Sequence, residues 1–436
     1  MRKETILEIL SDWNLWAKQI DTGIQREQYR NELQSLLENT DQIICITGVR
    51  RCGKSTLIKQ VAHKLSEQKG KNNTLIVNFE DERFTDRTLQ TLRDIYDCYQ
   101  EKVQPTEKKP LLFLDEIQNV SEWERFVRGM HERKEASLLV SGSSSKLLSA
   151  ELATLLTGRH IIFTLYPLSF KEFLFFNNIS IRSELDVVTS RSDIKKLLTE
   201  YLGNGGFPEV VLSTEKKRIL LSYFDTIITR DIIERFRIRE REKIRSLAKF
   251  YLTNMSSSVT FNKVAQFLSL PLTTVERFSS YLESAYLLFF IKRYSPSFKE
   301  QEKAPRKVYA IDSGLSNAIG FRFIENQGRL MENVVAVELK RRQTMNSALE
   351  VFYWKDYQQR EVDFILKEGT KIRQLIQVTA TIENMNTKER EVRSLLKAMD
   401  EFSLEEGLIL TDDFDGEEQI NGKKIRYKPL WKWLLE

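Results

Sequence analysis

Residues 48–55 read G-V-R-R-C-G-K-S, which places Gly48, Gly53, Lys54 and Ser55 at the spacing G-x-x-x-x-G-K-S. That spacing suits the binding of a polyphosphate. A glycine-rich turn between a strand and a helix aims backbone N–H groups, and the positive end of the helix, at phosphate oxygens. Lys54 has the reach for the β- and γ-phosphates, and Ser55 offers a hydroxyl to a magnesium ion. Val49, Arg50, Arg51, Cys52 and Thr56 complete the expected lining, and the expected ligands are ATP and Mg2+. The competing account is a chance match in a structural turn.

The elements that must hold this turn are legible on either side. Ile43 to Thr47 is a short apolar, β-branched run of the kind expected for a buried parallel strand. Residues 56–65 have helical spacing, with Leu57, Val61 and Leu65 on one face. A second apolar run, residues 111–114, ends in Asp115 and Glu116. On a neighbouring parallel strand, Asp115 would hold the magnesium through its water shell, and Glu116 would orient or deprotonate the attacking water. A third run, ASLLV, ends in serines at 141 and 143–145. Ser143 is the expected sensor of the γ-phosphate or the water, with Ser144 second; a helix cap is the alternative. Arg159 precedes another strand and suits an arginine finger acting on a neighbouring subunit's nucleotide, or else a structural ion pair.

The combination GVRRCGKST, LLFLDE, SGSSSKLL, LLTGRH, YPLSFKEF and GGFPEVV resembles the bacterial and archaeal AAA+-type ATPase family with a nuclease-like C-terminal domain. The resemblance runs from about residue 29 to the C-terminus, and PLSFKEF, GGFPEVV and YFDTIITRDIIERF are its longest stretches. The double arginine Arg50–Arg51 also resembles that family. It implies an α/β fold class: a P-loop NTPase parallel-sheet domain with a helical lid, a winged-helix domain and a restriction-endonuclease-like (PD-(D/E)XK) C-terminal domain. A homo-oligomer is expected.

The expected divisions are an N-terminal helical arm (1–28), the ATPase core (29–166), the lid (167–236), a winged helix (237–325) and the nuclease-like domain (326–436). Glycines 203, 205 and 206 with Pro208 mark a turn in the lid, and Arg230 and Asp231 there read as an internal ion pair. In the winged helix, one helix, a turn at residues 269–271 and a second helix from Thr273 are followed by a strand-like run, 287–291. The second helix is expected to present Thr273, Thr274, Glu276 and Arg277 outward, and basic flanks suggest contact with DNA phosphates. From about residue 330 the order helix, strand (VFYW), strand (EVDFIL), strand (RQLIQVT), helix, strand (GLILT) follows. The resemblance implies metal ligands at Glu332 and Asp363, with Glu361 on the same strand face and Gln377 where the family has an acid. Thr379 stands where it has a lysine, so cleavage is not expected unless another residue, such as Lys355, substitutes.

Bulk properties bound these readings. At 436 residues the chain has room for about three domains. With 41% hydrophobic and 30% charged residues, it is expected to be globular rather than disordered. No apolar run reaches the roughly 20 residues of a membrane span, and the N-terminus does not read as a signal peptide. Three cysteines and three histidines give no disulfide framework and no multi-histidine centre, so a cytoplasmic protein is expected. Residues 236–310 carry 14 Lys/Arg against 6 Asp/Glu, which hints at a polyanion partner. Three functions follow: a DNA-coupled ATPase, a nucleotide-switched scaffold with a protein partner, and an ATP-dependent metal nuclease directed at foreign DNA.

Overall fold

The computed structural model describes residues 1–107, 109–142, 156, 158–320, 327–380, 382 and 385–436. They form two compact units, Met1–Leu165 and Tyr166–Glu436.

The first unit is built on five parallel strands: β1 (Ile43–Thr47), β2 (Thr74–Asn78), β3 (Leu111–Asp115), β4 (Ser137–Ser141) and β5 (His160–Thr164), in the order β2-β3-β4-β1-β5. Their near-continuous apolar runs are what a sheet covered on both faces requires. Parallel neighbours need long crossovers, and helices supply the first three, including α3 (Lys54–Lys69), Leu89–Lys102 and Trp123–Glu132. Two more helices precede β1: α1 (Lys3–Trp13) and α2 (Glu27–Asn39). Ile6, Ile9 and Leu10 of α1 join the same core as Leu75, Val77 and Leu112. Just beyond α1, Asn14 donates to Ile76 O (2.8 Å) and accepts from Ile76 N (2.7 Å), occupying the open side of edge strand β2. The helix expected over 56–65 begins sooner and runs longer, because the preceding turn closes at Gly53.

The second unit opens with helices, among them Phe170–Phe176, Arg191–Asn204, Pro208–Leu212 and Lys216–Thr226, and then a π-helical stretch, Ile227–Glu234. Helices Arg241–Thr253, Phe261–Leu268 and Leu272–Ser284 stand beside an antiparallel sheet of β6 (Ser257–Val259), β7 (Leu288–Lys292) and β8 (Arg306–Ala310), ordered β6-β8-β7. The last of these helices starts at Leu272. Thr274, four residues before buried Phe278, shares its packed face and is buried rather than outward as expected, while Thr273, Glu276 and Arg277 are exposed. Helix Gln327–Met345 leads into β9 (Leu349–Lys355), β10 (Glu361–Glu368), β11 (Lys371–Val378), β12 (Glu406–Thr411), β13 (Gly416–Ile420) and β14 (Lys423–Pro429). Their order is β13-β14-β12-β11-β10-β9. The expected two helices and four strands are there, and the β13–β14 hairpin extends the sheet to six. Helix Met385–Glu401 covers one face through Leu395, Ala398 and Met399.

The glycine turn of the first helical segment has a physical cause. Gly205 has φ +75°, and a Cβ there would lie 2.0 Å from Asp312 Oδ1. Asp312, just past β8, accepts from the N–H of Gly206 (2.7 Å) and of Leu315 (3.1 Å). Gly205→Ala combines a left-handed backbone with this clash, so we expect a loss of about 1–3 kcal/mol. Thermal denaturation checks it: an unchanged melting temperature would mean that Asp312 moves aside freely.

Candidate nucleotide-binding site

The loop after β1 folds around its own lysine. Gly48 has φ +139°, and a Cβ there would approach Leu165 O to 2.2 Å, so only glycine lets the chain leave β1 at this point. Arg51 and Gly53 also take positive φ, 69° and 101°. Val49 and Cys52 are buried, and the Cys52 N–H donates to Val49 O at 3.3 Å. Leu57 N–H donates to Gly53 O (2.9 Å), which starts α3 with its N-terminus at the loop. Lys54 is only 5% exposed, and its Nζ donates to Gly48 O (3.1 Å) and Val49 O (3.2 Å). Arg50 reaches outward to Glu80 at 3.3 Å, and Ser55 and Thr56 lie exposed on the first turn of α3.

Asp115 approaches this loop by a route that differs from the expected one. β3 is not the neighbour of β1, because β4 lies between them. The gap is bridged at the tip of β4 by Ser141, a residue small enough to be fully buried there. Its hydroxyl donates to Asp115 Oδ1 and accepts from the Glu116 N–H at 3.2 Å. Asp115 also accepts from the Ser55 side chain. Burial pushes the Asp115 carboxyl up to about 6, and adjacent Glu116 adds to the rise; the Ser141 and Ser55 hydroxyls and the Lys54 ammonium oppose it. Glu116 itself sits in the left-handed region (φ 52°, ψ 41°), and its carboxylate accepts from the Gln118 side chain. A serine hydroxyl against a carboxylate is a hard-oxygen donor pair, so the residues present fit Mg2+.

Two buried side chains behind the loop were not anticipated. Arg26, 26 residues upstream, donates from Nη1 to Cys52 O at 2.9 Å, with its guanidinium over the Tyr29 ring at 4.7 Å. Gln60 of α3 accepts from Arg26 N (3.0 Å) and donates to Thr22 O (2.9 Å) and Ile24 O (2.8 Å). The segment before α2 is thereby strapped to the loop and its helix. No local pattern marks either residue. Ser143 and its alternate Ser144 lie outside the described residues. Arg159 is at the opposite edge of the sheet: its carbonyl accepts from Ile43 N, the first residue of β1, whereas the loop follows the last. Five residues of strand separate the two, roughly 16 Å. Its guanidinium pairs with Glu132 at 3.3 Å, so within its own chain it serves the structural ion pair.

The acids expected to gather a nuclease-type metal converge on a cation that the chain carries itself. Lys307 of β8, 2% exposed, places Nζ 2.9 Å from Glu332 Oε1, 2.7 Å from Glu361 Oε1 and 2.7 Å from Asp363 Oδ1. Burial pushes Glu332 up to about 7, with Asp363 adding and Lys307 opposing. Gln377 does not face the cluster as a free ligand, since its oxygen accepts from Asp363 N–H (3.1 Å) and its nitrogen donates to Glu391. Among the described residues, no group of three or more His, Cys, Asp or Glu is arranged to hold a metal. A divalent ion about 3.5 Å from that ammonium would meet repulsion on the order of 10 kcal/mol at an effective dielectric of 20. These residues do not fit one.

The parallel sheet, the loop and the carboxylate beside it define the class, an AAA-type P-loop fold. Residues 40–174 match the family model described as AAA domain. Residues 195–325 and 327–432 match two models described as domains of unknown function, DUF8612 and DUF4143. The chain is 34% identical over 410 residues to uncharacterized protein MJ1544 of Methanocaldococcus jannaschii, covering 91% of this chain and 88% of that one. It is 33% identical over 424 residues to an uncharacterized protein of Haemophilus influenzae, covering 95% and 99%. The chain belongs to the family of these two proteins. Among solved structures it is similar to Aeropyrum pernix ORC1 in complex with DNA (TM-score 0.31, 10% identity, 73% of this chain and 96% of that one). It is also similar to AMPPCP-bound DnaA of Aquifex aeolicus (TM-score 0.26, 16% identity, 62% and 91%). Neither likeness is close enough to carry a functional comparison. No helix among the described residues is long and apolar enough to cross a membrane.

Ser141→Ala leaves the buried Asp115 carboxylate and the Glu116 N–H each short of a partner. We expect it to cost about 1–3 kcal/mol in urea denaturation. Equal stability would show that the hydroxyl is dispensable.

Proposed function

We propose that the protein binds Mg2+–ATP with residues 48–56 and hydrolyses it. The observation that supports this most directly is the meeting of Lys54, Ser55 and Asp115 at the carboxyl edge of one parallel sheet. Lys54 exchanges two loop carbonyls for β- and γ-phosphate oxygens, a stronger, charge-assisted pairing. Ser55 and Asp115 hold the Mg2+, which when bound neutralises phosphate charge. Glu116 orients or deprotonates the attacking water, and its left-handed backbone sets the carboxylate off the strand direction. Ser143 serves as the sensor. Arg159 acts, if as a finger, on the nucleotide of a neighbouring subunit in a homo-oligomer.

Nucleotide state is coupled to DNA binding or remodelling. In this reading residues 167–236 are a lid, 237–325 a winged helix and 326–436 a restriction-endonuclease-like scaffold. The order helix, strand, helix, helix, strand, short helix (Phe298–Lys303), strand over 241–310 supports the winged helix. Exposed Arg237, Arg239 and Arg241 suit sequence-tolerant phosphate contacts. One observation favours the scaffold reading instead. Phe267 (73% exposed) and Leu272 (38%) flank the turn between the two helices and suit a protein partner better than a groove.

Phosphate release, measured with and without duplex DNA over a range of salt, separates these readings. We expect turnover stimulated by DNA, with stimulation fading as salt rises, and Glu116→Gln lowering turnover by about 100-fold or more. DNA-indifferent hydrolysis would move the proposal to the protein-partner scaffold. Full turnover in Glu116→Gln would remove that residue from the chemistry.

A further inference from the structure

The acid cluster of the second unit takes no part in the nucleotide reading. Its geometry stands alone. Glu332 projects from helix Gln327–Met345, and Glu361 and Asp363 from one face of β10, the arrangement that in the resembling nuclease folds would gather a divalent ion. Here the point of convergence is filled from a third direction. Lys307 arrives from β8 of the preceding sheet, and its three N–H donors have three carboxylates to meet, all within 2.9 Å.

The remaining hydrogen-bonding capacity is used in the same spirit. Asp363 Oδ2 accepts from Val378 N–H at 3.0 Å, and the Tyr309 hydroxyl donates to Glu332 Oε1 at 2.7 Å. Glu361 Oε2 pairs with Lys355 at 3.1 Å. Burial lowers the Lys307 pKa, but Asp363, Glu332 and Glu361 outweigh it and hold the group well above the ordinary lysine range. The ammonium is a permanent charge. Around it, β8 is tied to the C-terminal elements at two further points. Asn333 bonds both the N–H (2.8 Å) and the carbonyl (3.1 Å) of Ala310, and the Tyr353 hydroxyl donates to Pro305 O at 2.6 Å.

We infer that Lys307 is a tethered replacement for the metal: its ammonium occupies the place of the divalent ion, making the cluster a metal-independent clasp between β8 and the six-stranded sheet. A dissociable ion that could do phosphodiester chemistry has given way to one that cannot leave and has no Lewis acidity. The lysine missing at Thr379 is thus present in space, from another strand, but among the acids rather than beside them. Without a metal, the cluster has no means of cutting a phosphodiester.

Mn2+ titration of the full chain, followed by electron paramagnetic resonance and by thermal shift, tests this. Wild type and Asp363→Asn are expected to bind Mn2+ alike, because any contribution from the nucleotide loop is common to both. Lys307→Ala leaves buried Glu332 and Asp363 without their counter-charge and Glu361 with Lys355 alone, so it is expected to gain Mn2+ binding at least about tenfold tighter than wild type. Adding Asp363→Asn to it should remove the gain. Wild-type Mn2+ binding or Mn2+-dependent nicking of plasmid DNA that is lost with Asp363→Asn would overturn the inference, as would a folded Lys307→Ala that gains nothing. If Lys307→Ala does not fold, the comparison of wild type with Asp363→Asn decides alone.

Discussion

A lysine buried inside a turn of its own backbone sets the terms for the first unit. Among the described residues Lys54 has two carbonyl partners and no carboxylate ion pair, so the positive charge at the head of α3 is only weakly answered. Everything nearby is arranged around that charge without cancelling it. Asp115 accepts from two hydroxyls and feels the Lys54 charge, and Arg26 braces the loop from behind through a carbonyl. At the tip of β4, between β1 and β3, Ser141 fits under Asp115 and bonds both it and Glu116. Parallel strands make this possible, since they bring the ends of β1, β3 and β4 to one edge.

Lys307 shows the contrary arrangement with the same side chain. Both lysines are buried. Lys54 faces neutral dipoles that a phosphate outcompetes, whereas Lys307 faces three carboxylates that nothing outcompetes. Partner charge, not burial, separates a lysine poised for a ligand from one that serves as a fixed structural ion.

What could be read from the sequence was local chemistry. The loop, the strand before it, the helix after it and the acids at 115 and 116 each declare themselves within a few residues. Strand order does not, because it is set by how crossovers pack: β4, not β3, lies beside β1. Residues 141–145 marked a polar strand end, but register decides which serine meets Asp115, and the described one is Ser141. Arg26 and Lys307 are buried cations whose partners lie 26 and up to 56 residues away, beyond any spacing rule. Thr274 is polar, yet it stands four residues before Phe278 and so shares that residue's buried helix face. The β13–β14 hairpin did leave a signal. Asn421 and Gly422, at φ 53° and 76°, form the tight turn that this dipeptide favours, and in β14 buried Ile425 and Tyr427 alternate with charged residues, whereas β13 is mostly polar.

The central claim is that Lys54 holds a nucleotide's phosphates, and equilibrium titration of the full chain with Mg2+–ATP tests it most directly. Saturable binding of one nucleotide per chain is expected for the wild type, with affinity falling at least about tenfold in Lys54→Ala. Equal affinity in a folded Lys54→Ala protein, or no binding by the wild type, would contradict the account.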